Sequence, residues 1–164
     1  MKERIRQNAA PSGPTSSMFN RSWFISGVCG TIGRKLLGRV VKLEPKQVIG
    51  VDNNESELFY LYEEHRKNAV VKLYTADLRD RRELESRIAG CEIVLHAAAV
   101  KHVFLCEESP FAAIHANILG TQNIIDAALR ADVQRLLLTS SDKAVNPTNV
   151  MGTSKLMAER RVSA

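Results

Sequence analysis

Five short apolar runs that alternate with helical patterns are the feature that most constrains the fold of this chain. Most of these runs are almost continuously apolar, which is typical of parallel strands covered on both faces. The alternation predicts an α/β fold: a Rossmann-type doubly wound parallel sheet with helices on both faces. The predicted strands are WFIS (23–26), QVIGVD (47–52), VVKLYTAD (70–77), EIVLHAAA (92–99) and RLLLTSS (135–141), and the predicted helices cover 31–42, 55–67, 80–89, 110–131 and 149–162.

The first 22 residues lack this pattern. They cluster Pro, Gly and Ser without periodicity, so we predict a flexible leader at 1–22 and one dinucleotide-binding domain at 23–164. The leader holds four basic residues against one acidic residue and so carries much of the net charge of +5. The remaining chain has no strong basic bias, and we expect no nucleic-acid partner.

The cysteine pattern and the hydropathy bear on the compartment. The three cysteines (Cys29, Cys91 and Cys106) form no CxxC pair, which indicates neither a disulfide framework nor a zinc site and is typical of a reducing compartment. No apolar run approaches the roughly 18 residues of a membrane helix. We therefore expect a cytoplasmic protein with no membrane span in this chain.

A glycine-rich turn, ISGVCGTIGRKLL, follows the first predicted strand and opens the first helix. Gly27 would permit a tight turn, Gly30 a close approach of the backbone to a pyrophosphate, and Gly33 close packing of the helix on the sheet. Thr31 and Ile32 complete the first helical turn, whose N–H groups favour a phosphate. The segment predicts a dinucleotide site, and the alternative is an ordinary strand–helix turn.

The second and third strands each end in an aspartate. Asp52, followed by Asn53, could accept hydrogen bonds from both adenosine ribose hydroxyls, which favours NAD over NADP while leaving NADP possible. The alternative for Asp52 is to cap the next helix, a role open also to Asn53, Asn54 or Ser56. Asp77 and Leu78 could bracket the adenine, and Asp77 could equally be a helix N-cap.

The fourth strand ends in LHAAAVKHV. The small side chains of Ala97, Ala98 and Ala99 would leave room for a cofactor on the strand end, although close packing alone would also favour alanine. Lys101 and His102 would line a pocket for an anionic ligand. His96 and His102 lack a third ligand at suitable spacing, so no metal site is predicted.

The most specific stretch is LLLTSSDKAVNPTNVMGTSKLMAE. Ser141, Asp142 and Lys143 follow the fifth strand, while Met151 and Lys155 lie four residues apart on one helical face. We expect a hydroxyl, a carboxylate and two lysines to converge near the nicotinamide position. A polar loop followed by an ordinary amphipathic helix is the alternative.

With these residues in view, the chain resembles the extended short-chain dehydrogenase/reductase superfamily. Within it, the chain is similar to the nucleotide-sugar 4,6-dehydratases of polysaccharide biosynthesis, which act on UDP-N-acetylglucosamine. The marks are HAAAVKHV, SPFAAIHANILGTQNIIDAA and SSDKAVNPTNVMGTSK. The resemblance implies that Ser141 is the hydroxyl residue, Asp142 the acid, Lys143 the base at C5 and Lys155 the lysine of the YxxxK motif. Met151 replaces the tyrosine of that motif, as in the branch of dehydratases that carries methionine there.

The reaction implied by the resemblance is redox-neutral. C4 of the sugar is oxidised with NAD as the hydride carrier, C5 is deprotonated, the C6 hydroxyl leaves as water, and the hydride returns to C6. Met151 cannot exchange protons, so the proton from the C4 hydroxyl would pass to Asp142, Ser141 or water. We expect desolvation to raise the pKa of Asp142. Lys155 would bind the nicotinamide ribose, and Asn117 is expected at the cofactor site on a helix held against strand five.

The family continues beyond the position of Ala164 with a further strand and a sugar-binding region. We therefore expect a domain that is incomplete at its C-terminal end, that binds cofactor, and that turns over a UDP-sugar poorly. A homo-oligomer is also expected. Two alternatives remain open: a nucleotide-sugar 4-epimerase of the same fold, and a dinucleotide-binding module without turnover.

Overall fold

The alternating apolar runs form one parallel sheet. The structure, a computed structural model, describes residues 18–164. All paired strands are parallel and lie in the order β3-β2-β1-β4-β5, so the strand order reverses beside β1, where this class of fold binds ligands. This arrangement confirms the predicted Rossmann-type fold. The strands are β1 (Ser22–Ser26), β2 (Gln47–Asp52), β3 (Val71–Thr75), β4 (Ile93–His96) and β5 (Arg135–Leu138).

Helices follow every strand, as predicted. The predicted helix at 110–131 is a succession of α5 (Pro110–Ala113), a π-helical turn (Ile114–Leu119) and α6 (Gly120–Arg130). A short helix that was not predicted, α4 (Val103–Glu108), precedes it. A 3-10 turn (Asp142–Ala144) lies between β5 and the last helix. The helices are α1 (Thr31–Val41), α2 (Glu55–His65), α3 (Arg81–Ile88), α4 (Val103–Glu108), α5 (Pro110–Ala113), α6 (Gly120–Arg130) and α7 (Val150–Val162).

Three strands are shorter than predicted at their carboxyl ends. β3 ends at Thr75, β4 at His96 and β5 at Leu138. The central strand β1 ends at Ser26. The last backbone bonds to its neighbours include Ala97 N to Ser26 O, at 3.0 Å, and Gly27 N to Val51 O, at 2.9 Å. Beyond these points the residues expected at the ends of the third and fourth strands line a cleft instead.

The side chains of β1 alternate between two hydrophobic cores, one on each face of the sheet. Trp23 and Ile25 pack with Leu37 and Leu58 from α1 and α2. Phe24 packs on the opposite face with residues of α3 and α6, such as Ile124. Helices therefore cover both faces, which confirms the prediction and explains why the strands are so uniformly apolar.

The described residues begin within the predicted leader. Met18 packs against the core cluster on the α1 face, and Arg21 forms an ion pair with Glu92. The rest of the predicted leader, residues 1–17, lies outside the described residues. In the part of the chain from residue 18 onward, none of the helices combines the length and the apolar character needed to cross a bilayer.

Candidate functional site

Two glycines of the glycine-rich turn are required by their surroundings. Gly27 has a φ of +69°, and a Cβ there would lie 2.6 Å from the backbone N of Ala98. A Cβ on Gly33 would lie 2.0 Å from the carbonyl oxygen of Gly27. Gly30 is less constrained, with the nearest contact of a Cβ at 3.3 Å. The turn therefore brings β1, α1 and the segment after β4 closer together than a side chain at Gly27 or Gly33 would allow.

The first turn of α1 has no protein side chain as a cap. Its N-cap is Gly30, no side-chain hydrogen bond caps it, and no acidic residue lies in its first turn. By contrast, the side chains of Asn54, Asp80 and Asn149 cap α2, α3 and α7. Thr31, Ile32 and Gly33 line the cleft. An anion can bind at this position, because N–H groups and the positive end of the helix dipole meet there.

Asp52 lies at the end of β2 and holds the glycine-rich turn. Its Oδ2 accepts a hydrogen bond from Cys29 N at 2.9 Å, and its Oδ1 accepts one from Asn54 N at 3.0 Å. Asn54, rather than Asp52, caps α2 by accepting from Glu57 N at 3.1 Å. The alternative role of Asp52 as the helix cap is therefore wrong. Asp52 and Asn53 both line the cleft.

Arg34 was not singled out in the sequence, yet it joins the glycine-rich turn to α2. Its Nε donates to Cys29 O at 3.1 Å, and its Nη2 donates to Glu57 Oε2 at 2.8 Å. Burial, followed by the charge of Asp52, raises the pKa of Cys29 to about 12. The thiol is therefore protonated at neutral pH and unsuited to nucleophilic chemistry.

Asp77 and Leu78 line the same cleft on its β3 side. Asp77 pairs with Arg79, whose Nε donates to Oδ1 and Oδ2 at 2.9 Å, and these bonds hold the pKa of Asp77 below its usual value. Asp80 caps α3, accepting from Glu83 N at 3.0 Å. The alternative role of Asp77 as an N-cap is therefore wrong, since the sequence signal belongs to Asp80.

The segment after β4 forms the opposite side of the cleft. This side is lined by Ala97, Ala98 and Ala99. Lys101 lines the same part of the cleft, next to the glycine-rich turn, and supplies a basic side chain there. His102 is instead the N-cap residue of α4 and is not among the residues that line this cleft. A role of His102 in binding an anion stays a prediction.

Asn117 lies beneath this segment rather than in the cleft. It is 2% exposed, and its Oδ1 accepts from Val100 N at 2.8 Å while its Nδ2 donates to Val100 O at 2.9 Å. The Nδ2 group also donates to Ser154 Oγ at 2.9 Å. Because its amide is fully engaged, direct contact of this side chain with a cofactor is not supported. Asn117 therefore joins the segment after β4 to α7, whereas its helix was expected to be held against strand five.

Three polar residues predicted for catalysis meet at the 3-10 turn after β5. Ser141 Oγ donates to Asp142 Oδ1 at 3.0 Å, and Lys143 Nζ lies 3.6 Å from the same oxygen. The side chain of Asp142 is 87% exposed. The Ser141 hydrogen bond, followed by the charge of Lys143, lowers the pKa of Asp142. The expected rise of this pKa by desolvation is therefore wrong for the chain in this structure, and Asp142 is a carboxylate at neutral pH.

Met151 and Lys155 occupy one side of α7 but have different surroundings. Lys155 Nζ donates to Thr139 O at 2.6 Å, at the end of β5, and burial lowers its pKa. Met151 is 4% exposed and packs with Cys106 and Ala113. Met151 thus packs on an apolar surface to which α4, a helix that was not predicted, contributes Cys106.

Gly152 was quoted in the sequence without a role. A Cβ there would lie 2.2 Å from the carbonyl oxygen of Lys143. The first turn of α7 therefore packs directly on the 3-10 turn that carries Asp142 and Lys143. The glycine between Met151 and Lys155 was the available signal, but only the structure shows that it approaches the backbone of Lys143.

His96 was considered in the sequence only as a metal ligand. It is fully buried, with Nδ1 2.6 Å from Ser26 Oγ and Nε2 2.9 Å from Thr121 Oγ1. Thr121 donates its own proton to Asn117 O at 2.7 Å, so its oxygen accepts from Nε2–H, and Nδ1 accepts from Ser26. Burial, followed by the charge of Lys155, lowers the pKa of His96 to about 3. Within the described residues, no group of three His, Cys, Asp or Glu could hold a metal ion.

Several known proteins are similar to this chain in sequence. An uncharacterized membrane protein of Methanocaldococcus jannaschii is 42% identical over 86% of the chain and 42% of its own length. The capsular polysaccharide biosynthesis protein CapD of Staphylococcus aureus is 34% identical over 85% of the chain and 24% of its own length. A UDP-glucose 4-epimerase of Rickettsia rickettsii is 33% identical over 86% of the chain and 42% of its own length. The chain thus spans less than half the length of these curated relatives.

Two solved structures are similar to this chain in fold. Pen from Bacillus thuringiensis has a TM-score of 0.87 and 39% identity, over 89% of this chain and 46% of that one. A UDP-glucose 4-epimerase from Brucella ovis in complex with NAD has a TM-score of 0.75 and 21% identity, over 87% of this chain and 47% of that one. That structure contains NAD, the cofactor that the sequence predicts for this chain.

The family described as polysaccharide biosynthesis protein matches residues 23–164. The match includes the glycine-rich turn, the cleft and the 3-10 turn described above, and it covers the whole of the predicted domain. The chain therefore belongs to the polysaccharide biosynthesis protein family of extended short-chain dehydrogenases/reductases.

Proposed function

We propose that this chain is the NAD-binding part of a nucleotide-sugar 4,6-dehydratase that acts on a UDP-N-acetylhexosamine in polysaccharide biosynthesis. The observation that carries the proposal is the cluster of Ser141, Asp142 and Lys143 at the end of β5, with a buried methionine where the YxxxK motif has tyrosine. A dehydratase needs an acid and a base at C6 and C5 of the sugar. This cluster supplies both without a tyrosine.

The residues of the cleft fit NAD. The glycine-rich turn leaves space that a Cβ at Gly27 or Gly33 would fill, and the first turn of α1 has no side-chain cap for its N–H groups. Asp52 lines the adjoining part of the cleft and, as a carboxylate, favours ribose hydroxyls over a 2′-phosphate. NAD, when bound, supplies the hydride acceptor and donor for the oxidation at C4 and the reduction at C6.

The ionised state of Asp142 suggests an order of proton transfers. As a carboxylate it can first take the proton of the C4 hydroxyl while C4 loses its hydride. Once its ammonium proton has passed to solvent, Lys143 removes the C5 proton, and Asp142 returns its proton to the C6 hydroxyl, which leaves as water. Lys143 would then return a proton to C5, so both side chains end in the state in which they entered the sequence.

A nucleotide-sugar 4-epimerase is the second candidate, because five relatives at 32–33% identity are named as UDP-glucose 4-epimerases. That reaction would ordinarily use a tyrosine base where Met151 lies, and it does not require the Asp142–Lys143 pair. This difference at Met151 favours the dehydratase.

Mass spectrometry of UDP-N-acetylglucosamine incubated with the protein and NAD⁺ tests the proposal. Loss of one water from the sugar nucleotide is the expected product. An unchanged mass with altered chromatography would instead identify an epimerase. Because the 164-residue chain is expected to turn over the sugar poorly, a negative result is repeated on a longer chain that contains this domain. Binding of NAD⁺ by that longer chain with no change in the sugar would favour a dinucleotide-binding module and contradict the dehydratase.

A further inference from the structure

One helical segment contacts both sides of the cleft. From its π-helical turn, Asn117 bonds both backbone groups of Val100, at 2.8 and 2.9 Å. Two turns later, in α6, Asn123 Nδ2 donates to Leu78 O at 2.8 Å. Val100 and Leu78 both line the cleft, one after β4 and the other after β3. The segment 117–123 therefore fixes the two sides of the cleft relative to each other.

The β3 side of the cleft lies directly against this helix. Gly120 is buried, and a Cβ there would lie 2.9 Å from Leu78 Cβ and 3.2 Å from Leu78 Cδ1. No larger residue fits at Gly120 unless Leu78 moves. The Leu78 side chain is thus held by contact with Gly120, and its backbone carbonyl is held by Asn123.

The neighbouring residues show what this arrangement controls. Asp77, immediately before Leu78, lines the cleft, and its carboxylate is engaged by Arg79 on the same loop. These local bonds fix the loop to itself but not to the rest of the molecule. Among the described side chains, the Asn123 amide connects the loop backbone at Leu78 to α6.

We propose that Asn123 is a positioning residue for the adenosine end of the dinucleotide: through the Leu78 carbonyl it sets the distance between the Asp77–Leu78 loop and the glycine-rich turn. The inference rests on the proposed binding of NAD. Asn123 does not line the cleft, so its effect on a ligand passes through the loop. The effect is therefore specific to ligands that contain adenosine.

Asn123→Asp is the direct test, because it keeps the size of the side chain and replaces the donor amide by an acceptor facing Leu78 O. Isothermal titration measures the Kd of NAD⁺ and of ADP-ribose. We expect both Kd values to rise about tenfold, as for the loss of one buried hydrogen bond. In the ligand-free protein, the backbone amide resonances of residues 77–79 should shift in a ¹H–¹⁵N spectrum, while those of Gly30 and Gly33 should not.

Asn68→Asp is the matched control, since it introduces the same charge in the turn before β3. Asn68 uses its Oδ1 to accept from Val70 N at 3.3 Å, and an aspartate keeps that acceptor. The Kd values of this variant should equal those of the parent. If Asn123→Asp fails to fold, as judged by thermal unfolding, Asn123→Ala removes the donor without adding a charge and is expected to raise both Kd values.

The outcomes separate the inference from the proposed function. Parent-like Kd values in a folded Asn123 variant would overturn the positioning role while leaving NAD binding intact. Equal weakening by Asn68→Asp would also overturn it, because a general charge effect would then explain the loss. If the parent chain bound neither NAD⁺ nor ADP-ribose, the proposed cofactor would fail and the positioning role with it.

Discussion

Asp52 has two tasks that substitution can separate. It accepts a hydrogen bond from Cys29 N at 2.9 Å, and it lines the cleft where a ribose would lie. We predict that NAD⁺ binds more tightly than NADP⁺, because the carboxylate repels a 2′-phosphate. Asp52→Ala should weaken NAD⁺ binding by roughly 1–3 kcal/mol, the effect of losing hydrogen bonds to a charged group. Calorimetric titration of both cofactors measures these differences.

Asp52→Asn is the control for the turn itself. An asparagine can still accept a hydrogen bond from Cys29 N, so the conformation of the glycine-rich turn should be kept. It carries no charge, so the ratio of the Kd of NADP⁺ to the Kd of NAD⁺ should fall. Tighter binding of NADP⁺ than of NAD⁺ by the parent chain would contradict the ribose assignment.

Asp142 and Lys143 are expected to act on protons and not on cofactor binding. Neither lines the cleft formed by the glycine-rich turn. In an enzyme with measurable turnover that contains this domain, Asp142→Asn and Lys143→Ala should each lower kcat by roughly 10²–10⁴, the usual contribution of a positioned acid or base. The Kd of NAD⁺ should change little. Solvent deuterium incorporation at C5 is decisive for Lys143, because exchange at the parental rate in Lys143→Ala would rule it out as the base.

Two glycines in helices test how the elements pack. A Cβ on Gly152 would meet the carbonyl oxygen of Lys143 at 2.2 Å, whereas a Cβ on Gly38 in α1 meets nothing within 4 Å. We predict that Gly38→Ala raises the free energy of unfolding by about 0.5–1 kcal/mol, as expected from helix propensity. Gly152→Ala should lower it, because the contact with the 3-10 turn outweighs the propensity. Urea unfolding measures both, and stabilisation by Gly152→Ala would contradict the packing of α7 on that turn.

The buried contacts of His96 with β1 and α6 predict a pH dependence of stability. In the folded state its pKa is lowered to about 3, mainly by burial, against a usual value of 6.5. Between these values the unfolded chain binds a proton that the folded chain does not, so the free energy of unfolding falls as the pH is lowered through this window. One such group contributes at most about 1.4 kcal/mol per pH unit.

His96→Gln should reduce that slope, since an amide does not titrate. The slope is best measured between pH 6.5 and 5, because carboxyl groups with lowered pKa values, such as those of Asp77 and Asp142, contribute at lower pH. His102→Gln, at an exposed position, is the matched control. An unchanged slope in His96→Gln would show that His96 binds its proton equally in the folded and unfolded states, which would contradict the lowered pKa.

For the molecule as a whole, periodicity and local motifs predict the sheet and its helices well. Parallel strands buried on both faces leave a continuous apolar signal, and Gly27 and Gly33 have roles fixed by backbone geometry that any Rossmann-type turn shares. The cap at Asp80 and the burial of Met151 were not predictable, because each depends on which neighbour the folded chain provides. Asp77 and Asp80 look alike in sequence, and the surface that covers Met151 comes from α4, a helix too short to give a periodic signal.

The cleft from Gly27 to Lys101 is formed by described residues of this one chain, so we predict that the 164-residue chain binds NAD⁺ by itself. A ligand present at 100 times its Kd stabilises the folded state by about 2.7 kcal/mol. For a domain of this size that corresponds to a rise in Tm of roughly 5–10 °C. Thermal unfolding at increasing NAD⁺ concentrations measures the shift, and Asp52→Ala should require more NAD⁺ to reach it.

The same chain should turn over UDP-N-acetylglucosamine poorly even when NAD⁺ raises its Tm. The side chains of Asp142 and Lys143 are 87% and 48% exposed, so water rather than protein surrounds the groups that must exchange protons with the sugar. Low-dielectric surroundings, which strengthen such proton transfers, are therefore missing around them in this chain. We expect a kcat well below about 1 s⁻¹, the lower end of typical enzyme values. A faster rate in the mass-spectrometric assay would contradict this, and a missing rise in Tm would contradict binding.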